Sequence, residues 1–198
     1  MVFSSDPAAV LRQADALRLL SYLFDSPSPA LAEPLAELAE LYEGDAEAQA
    51  LLCEMAAEFD GGEEALVALK VDHAKLFIGP FDLLAPPYAS LYLESGNRVD
   101  GQVTRHIARC YAEGGLQREG GRTQPADHVA FLFEFLYYLL YRSVRDGDSA
   151  MVERAEQFAC AYVLSWTPRF FEAMREGAQT PFYRALAKLG LDHFPPAL

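Results

Sequence analysis

The sequence predicts an all-α protein, a single compact bundle-like domain of about nine to ten helices over residues 1–198. Three features carry that expectation. Asp6-Pro7, Ser28-Pro29 and Thr180-Pro181 each set a side-chain oxygen before a proline, whose missing N–H suits a first helical turn. Between these starts, apolar residues recur at helical spacing. No alternating run of apolar and polar β-branched residues is long enough for a sheet.

Asp6-Pro7 opens the first helix, with Leu11, Ala14, Leu17 and Leu20 at helical spacing. Ser28-Pro29 opens the second, where Leu31, Leu35, Leu38 and Tyr42 face one way. Residues 46–59 and 63–77 form two more, separated by Gly61-Gly62, and Leu66, Leu69, His73 and Leu76 line one stripe of the latter. Gly79, Pro80, Pro86 and Pro87 then forbid helix over 78–87, although Phe81, Leu83 and Leu84 are apolar. Such a loop packs on the core or is held for a ligand. Pro86-Pro87 extends the backbone, and Tyr88 and Tyr92 share a face if helix resumes at Tyr88. A helix over Val103 to Tyr111 stops at Gly114-Gly115, and the polar, glycine-rich stretch 114–124 reads as a flexible connector. Pro125 opens a long apolar helix to about Arg145, and Asp148 or Ser149 caps the next. Trp166-Thr167-Pro168 breaks that helix and starts the segment Arg169–Glu176. Thr180-Pro181 starts the last one, ending near Gly190.

Composition narrows function. With 29 acids against 16 bases the net charge is −13, which repels nucleic acid and anionic membranes and draws in a basic peptide; it also keeps a chain that is 52% hydrophobic soluble. The greasiest run, Val129 to Tyr141, is too short to span a membrane and contains Glu134. Met1 to Asp6 lack the basic start and apolar region of a secretory signal, and three scattered cysteines make no disulfide framework. The expected compartment is the cytoplasm.

Chemistry is sparse. No Gly-x-Ser-x-Gly elbow occurs, and no cysteine lies near a histidine in sequence. The four histidines are too dispersed to place two metal ligands on one helix face, so no catalytic or metal residue is assigned. Gly115 to Arg122 has phosphate-loop glycine spacing but lacks the Lys-Ser/Thr ending and a preceding strand. Asp72-His73 and Asp127-His128 are acid–imidazole neighbours that point about 100° apart on a helix, so neither is a dyad. Asp72-His73 reads as structural; Asp127 is either a helix cap or a ligand contact.

Two segments are unusual together. Asp72-x-x-x-Leu76-Phe77-x-Gly79-Pro80, followed by Pro87-Tyr88-x-Ser90-x-Tyr92, resembles one block of the TorD/DmsD/NarJ family, the redox enzyme maturation proteins. Pro125-x-Asp127-His128 with Glu134-Phe135 resembles a second block. Phe158 through Trp166-Thr167-Pro168-x-Phe170 and Phe182-Tyr183-x-x-Leu186-Ala187 resemble two further ones. The chain departs from the family pattern at Gln124, Leu132 and Tyr162. The resemblance implies a TorD-like helical fold and a cytoplasmic chaperone without enzymatic activity. Its partners would be the twin-arginine signal peptide and apoenzyme of a molybdopterin-dependent reductase, held back from export until the cofactor is inserted. Its peptide-binding residues would be Phe77, Gly79, Pro80, Pro87, Tyr88, Ser90, Tyr92, Asp127 and His128. No bound cofactor is implied. The alternatives are a factor that binds guanine nucleotide weakly or handles the molybdenum cofactor; Arg105, Arg109 and Arg122 converging would favour a phosphate, whereas acids beside Tyr88 and Tyr92 would favour the peptide. A monomer is expected, with helix exchange through the 114–124 connector as the route to a dimer.

Overall fold

The computed structural model describes residues 2–79, 83–95, 101–116 and 124–196. Among them the chain is all-α. The helices are α1 (Pro7–Tyr22), α2 (Ala32–Leu41), α3 (Ala46–Asp60), α4 (Gly62–His73), α5 (Ser90–Leu93), α6 (Gln102–Glu113), α7 (Val129–Arg145), α8 (Ala150–Tyr162), α9 (Thr167–Gly177) and α10 (Pro181–His193). A 3₁₀ turn, Pro29–Leu31, leads into α2, and a π-helical turn, Ala74–Ile78, follows α4. No strand is present among the described residues; the one feature of that kind is an isolated antiparallel bridge between Tyr88 and His128.

Local signals set many of the ends. Asp6 Oδ2 accepts from Ala9 N at 3.1 Å and Asp45 Oδ1 from Ala48 N at 3.0 Å, each satisfying an amide that a helix start leaves without a partner. Gly62 between α3 and α4 has φ +70, a backbone that glycine adopts without a Cβ clash. Before α8, Ser149 holds the cap position, but Asp148 Oδ1 makes the bond, accepting from Ala150 N at 3.0 Å.

Packing joins α1 to α7, α7 to α8, α2 to α1 and α3, and α10 to α3 and α9. The buried apolar residues, Leu31 apart, form one cluster running from Phe3 to Leu189. Its centre is aromatic: Phe24 meets Phe77 at 6.1 Å, Phe133 at 6.0 Å and Phe170 at 5.7 Å, and Phe77 meets Tyr183 at 5.5 Å.

Several boundaries differ from expectation. Pro125 does not open α7: its carbonyl accepts from His128 N in a turn, and the helix begins at Val129 with His128 as its cap. Helix resumes at Ser90 rather than Tyr88, because Tyr88 is held in the bridge to His128, so Tyr88 and Tyr92 do not share a helical face. Gly190 does not end α10, which runs on to His193. A Cβ at Gly190 would stand 2.4 Å from Phe171 Cε1, so glycine there permits close approach of α10 to the Phe171 ring. Most of the connector expected at 114–124 lies outside the described residues.

Candidate functional site

The two singled-out segments come together. Val129 N donates to Pro87 O at 2.8 Å, Ala89 N to Asp127 O at 3.0 Å, and Ser90 N to Asp127 Oδ2 at 2.9 Å. The Tyr88 and His128 rings meet edge to face with centroids 5.4 Å apart. Pro87 and Ser90 are buried, His128 is 6% exposed and Asp127 is fully buried. Asp127 therefore caps the four-residue helix α5 from a distant part of the chain, and His128 Nδ1 accepts from Ala130 N at 3.3 Å at the start of α7. Asp127 Oδ1, Ser90 Oγ and Tyr92 Oη are buried with no hydrogen-bond partner among the described residues.

Asp72 repeats the device. Its Oδ2 accepts from Gln179 N at 2.9 Å, Thr180 N at 2.7 Å and Thr180 Oγ1 at 2.7 Å, which caps α10 across the fold. Beside it, the His73 Nε2 lies 3.3 Å from Phe24 O. Burial lowers the His73 pKa, and the Phe24 carbonyl partly opposes that shift.

Of the remaining residues, Phe77 is 4% exposed and belongs to the aromatic core, so its ring is not open to a ligand. Gly79 N closes the π-helical turn on Ala74 O at 2.8 Å. Pro80 lies outside the described residues. Tyr88 and Tyr92 are half-buried. Burial, and then the Asp127 charge, raise the Tyr88 pKa; burial raises that of Tyr92 against the opposing Arg169 charge. The Arg169 guanidinium sits 5.5 Å from the Tyr92 ring centroid and donates to Tyr92 O at 2.9 Å, while Trp166 packs 5.0 Å from the same ring. Among the described residues the charge that acts on Tyr92 is thus the Arg169 base. Arg122 lies outside the described residues, so its convergence with Arg105 and Arg109 lies there too.

Sequence reasoning missed one surface and, at Val67 and Val71, part of another. A cavity of about 540 Å³ is lined by Arg12, Tyr42, Asp45, Asp192, His193 and Phe194 among others, and by none of the candidate peptide-binding residues; His193 Nδ1 stands 3.2 Å from Asp45 Oδ2 there. On α4 and beyond it, Val67, Val71, Ile78 and Leu84 are 54%, 48%, 64% and 48% exposed. An i, i+4 reading marks Val67 and Val71 as sharing a face, but only packing shows that this face is the outer one. Among the described residues no group of three or more His, Cys, Asp or Glu is placed to hold a metal, and no helix is long and apolar enough to cross a membrane.

The nitrate reductase delta subunit family model matches residues 27–172, which takes in both segments of the site. The chain belongs to this family. The TorD/DmsD/NarJ resemblance is thereby sustained. Among relatives of this family member, the Tat proofreading chaperone DmsD of Salmonella typhi is 30% identical over 115 residues, 58% of this chain and 53% of that protein. The match thus spans about half the length of that relative. The chaperone protein TorD of Aliivibrio fischeri is 29% identical over 159 residues, 78% of this chain and 74% of its own. A crystal structure from Archaeoglobus fulgidus, described as that of a candidate redox enzyme maturation protein, superposes with a TM-score of 0.57 at 23% identity, covering 89% of this chain and 92% of that one. That likeness speaks for the fold alone.

Proposed function

We propose that this chain is a non-catalytic cytoplasmic chaperone that binds the twin-arginine signal peptide and apoenzyme of a molybdopterin-dependent reductase, delaying export until the cofactor is inserted. The observation that carries the reading is the family match over residues 27–172, joined to relatives named as Tat proofreading and TorD chaperones. Physical chemistry supports it. A signal peptide of this kind presents two arginines and then an apolar run. A chain of net charge −13 attracts the first, and exposed apolar side chains receive the second. Asp127, Ser90 and Phe77 are buried, so in this reading they act as scaffold and the contacts fall to side chains with exposed area.

Calorimetric titration of the full chain with a twin-arginine signal peptide, beside a control with both arginines changed to alanine, tests the reading. Saturable binding that weakens in the control is expected. No binding to several such peptides, together with saturable binding of a guanine nucleotide, would replace it with a nucleotide-dependent factor.

A further inference from the structure

The outer face of α4 has a polarity that neither of the two sequence segments explains. Its inner face holds Leu69, Asp72 and His73. The opposite face starts with Glu63 and Glu64 and continues through Val67 and Val71, at spacings of three and four residues that put them on one side of a helix. The exposed Ile78 ends the π-helical turn that follows α4, and the exposed Leu84 is tied to the same turn, its N–H donating to Lys75 O at 3.4 Å. At the start of α4, Asp60, Glu63 and Glu64 are exposed and Glu58 is half-buried, and none of the four is in an ion pair among the described residues. Lys70 and Lys75 flank the apolar stretch, three and four residues after Val67 and Val71 respectively. The face therefore runs from an acidic end to an apolar stretch with basic margins.

We infer that this face is a docking surface for a polypeptide whose basic residues precede an apolar run. This rests on the peptide-binding reading above and assigns that peptide its place. Charge complementarity sets the occupant and its direction: the peptide's arginines meet Asp60, Glu63 and Glu64, and Lys70 and Lys75 repel them from the apolar end. Val67 to Ile78 spans about 16 Å at the helical rise, enough for about five extended residues of the apolar run. Exposed aliphatic side chains on a helix whose outer face is left uncovered among the described residues are the groups such a run would bury.

The test compares the wild-type chain with two double variants, Val67→Ser with Val71→Ser and Glu63→Gln with Glu64→Gln. Each is titrated with a peptide carrying Arg-Arg before a leucine-rich run and with its Ala-Ala counterpart. Valine and serine have similar helix propensity and the sites are exposed, so melting temperatures should stay within about 2 °C of wild type. The serine pair is expected to raise Kd for both peptides by about tenfold or more. The glutamine pair is expected to raise Kd for the Arg-Arg peptide by about three- to tenfold and leave the Ala-Ala peptide unchanged. If wild type binds and both variants bind equally well, the docking surface is wrong while the chaperone reading stands. If wild type binds neither this pair nor any of several twin-arginine signal peptides, both readings fall. If the wild type self-associates in sedimentation and the serine pair abolishes this, the face joins copies of the chain and the peptide assignment is overturned.

Discussion

Replacing Asp127 separates scaffold from contact. Asp127 is fully buried and its Oδ2 accepts from Ser90 N at 2.9 Å, tying the first turn of α5 to the entry of α7. Asp127→Ala deletes the acceptor and leaves the buried Ser90 amide without that partner. A hydrogen bond to a charged group contributes about 1.5–3 kcal/mol, so a loss of about 2 kcal/mol is expected. For a chain of this length that corresponds to a melting temperature lower by about 4–8 °C. Asp127→Asn keeps an oxygen acceptor without the charge and should lose about 1 kcal/mol. Urea unfolding measures the free energies, and peptide titration well below the melting point measures function. Peptide affinity should stay near wild type in both variants wherever the chain is folded. An alanine variant with wild-type stability and abolished peptide binding would refute the capping argument and make Asp127 a ligand contact.

Two further outcomes test the fold. Gly190→Ala should destabilise by about 1–3 kcal/mol through overpacking, because the new Cβ would stand 2.4 Å from the buried Phe171 ring. Helix propensity alone predicts a gain of about 1 kcal/mol, so the sign of the change in a thermal melt decides between the two. His73 gives a pH signature. Its folded pKa lies below the ordinary 6.5, so the unfolded chain binds the proton more readily. The stability it contributes is fully present above pH 6.5 and is lost as pH falls toward the folded value. Denaturant titrations from pH 7.5 to 5 should show a steeper fall for wild type than for His73→Gln, and equal slopes would refute the assignment.

Much of the candidate site was legible only as a pair of odd segments. Pro87-Tyr88 and Asp127-His128 do meet, through the Tyr88–His128 bridge. The roles inside them were not legible. Asp127 is bonded to an amide 37 residues away, and Asp72 to one 108 residues away, so no local capping pattern could reveal either bond. Phe77 and Ile78 are both apolar and adjacent, yet one is 4% exposed and the other 64%, because Phe77 packs against Phe24, Phe170 and Tyr183 while its neighbour points elsewhere around the turn.

The sequence by itself determined the helical class and many of the helix starts. Those follow from short-range bonding, such as Asp6 Oδ2 to Ala9 N and Asp45 Oδ1 to Ala48 N, and from prolines at first-turn positions. It also determined the acidic net charge, since charge is a sum over residues. Only the tertiary structure decided which apolar face of α4 is left outside and which aspartates become caps for distant helices. It also decided why Gly190 is a point of contact rather than an end. Those outcomes depend on which surfaces pack against each other, and helical periodicity records that a face exists without recording what covers it.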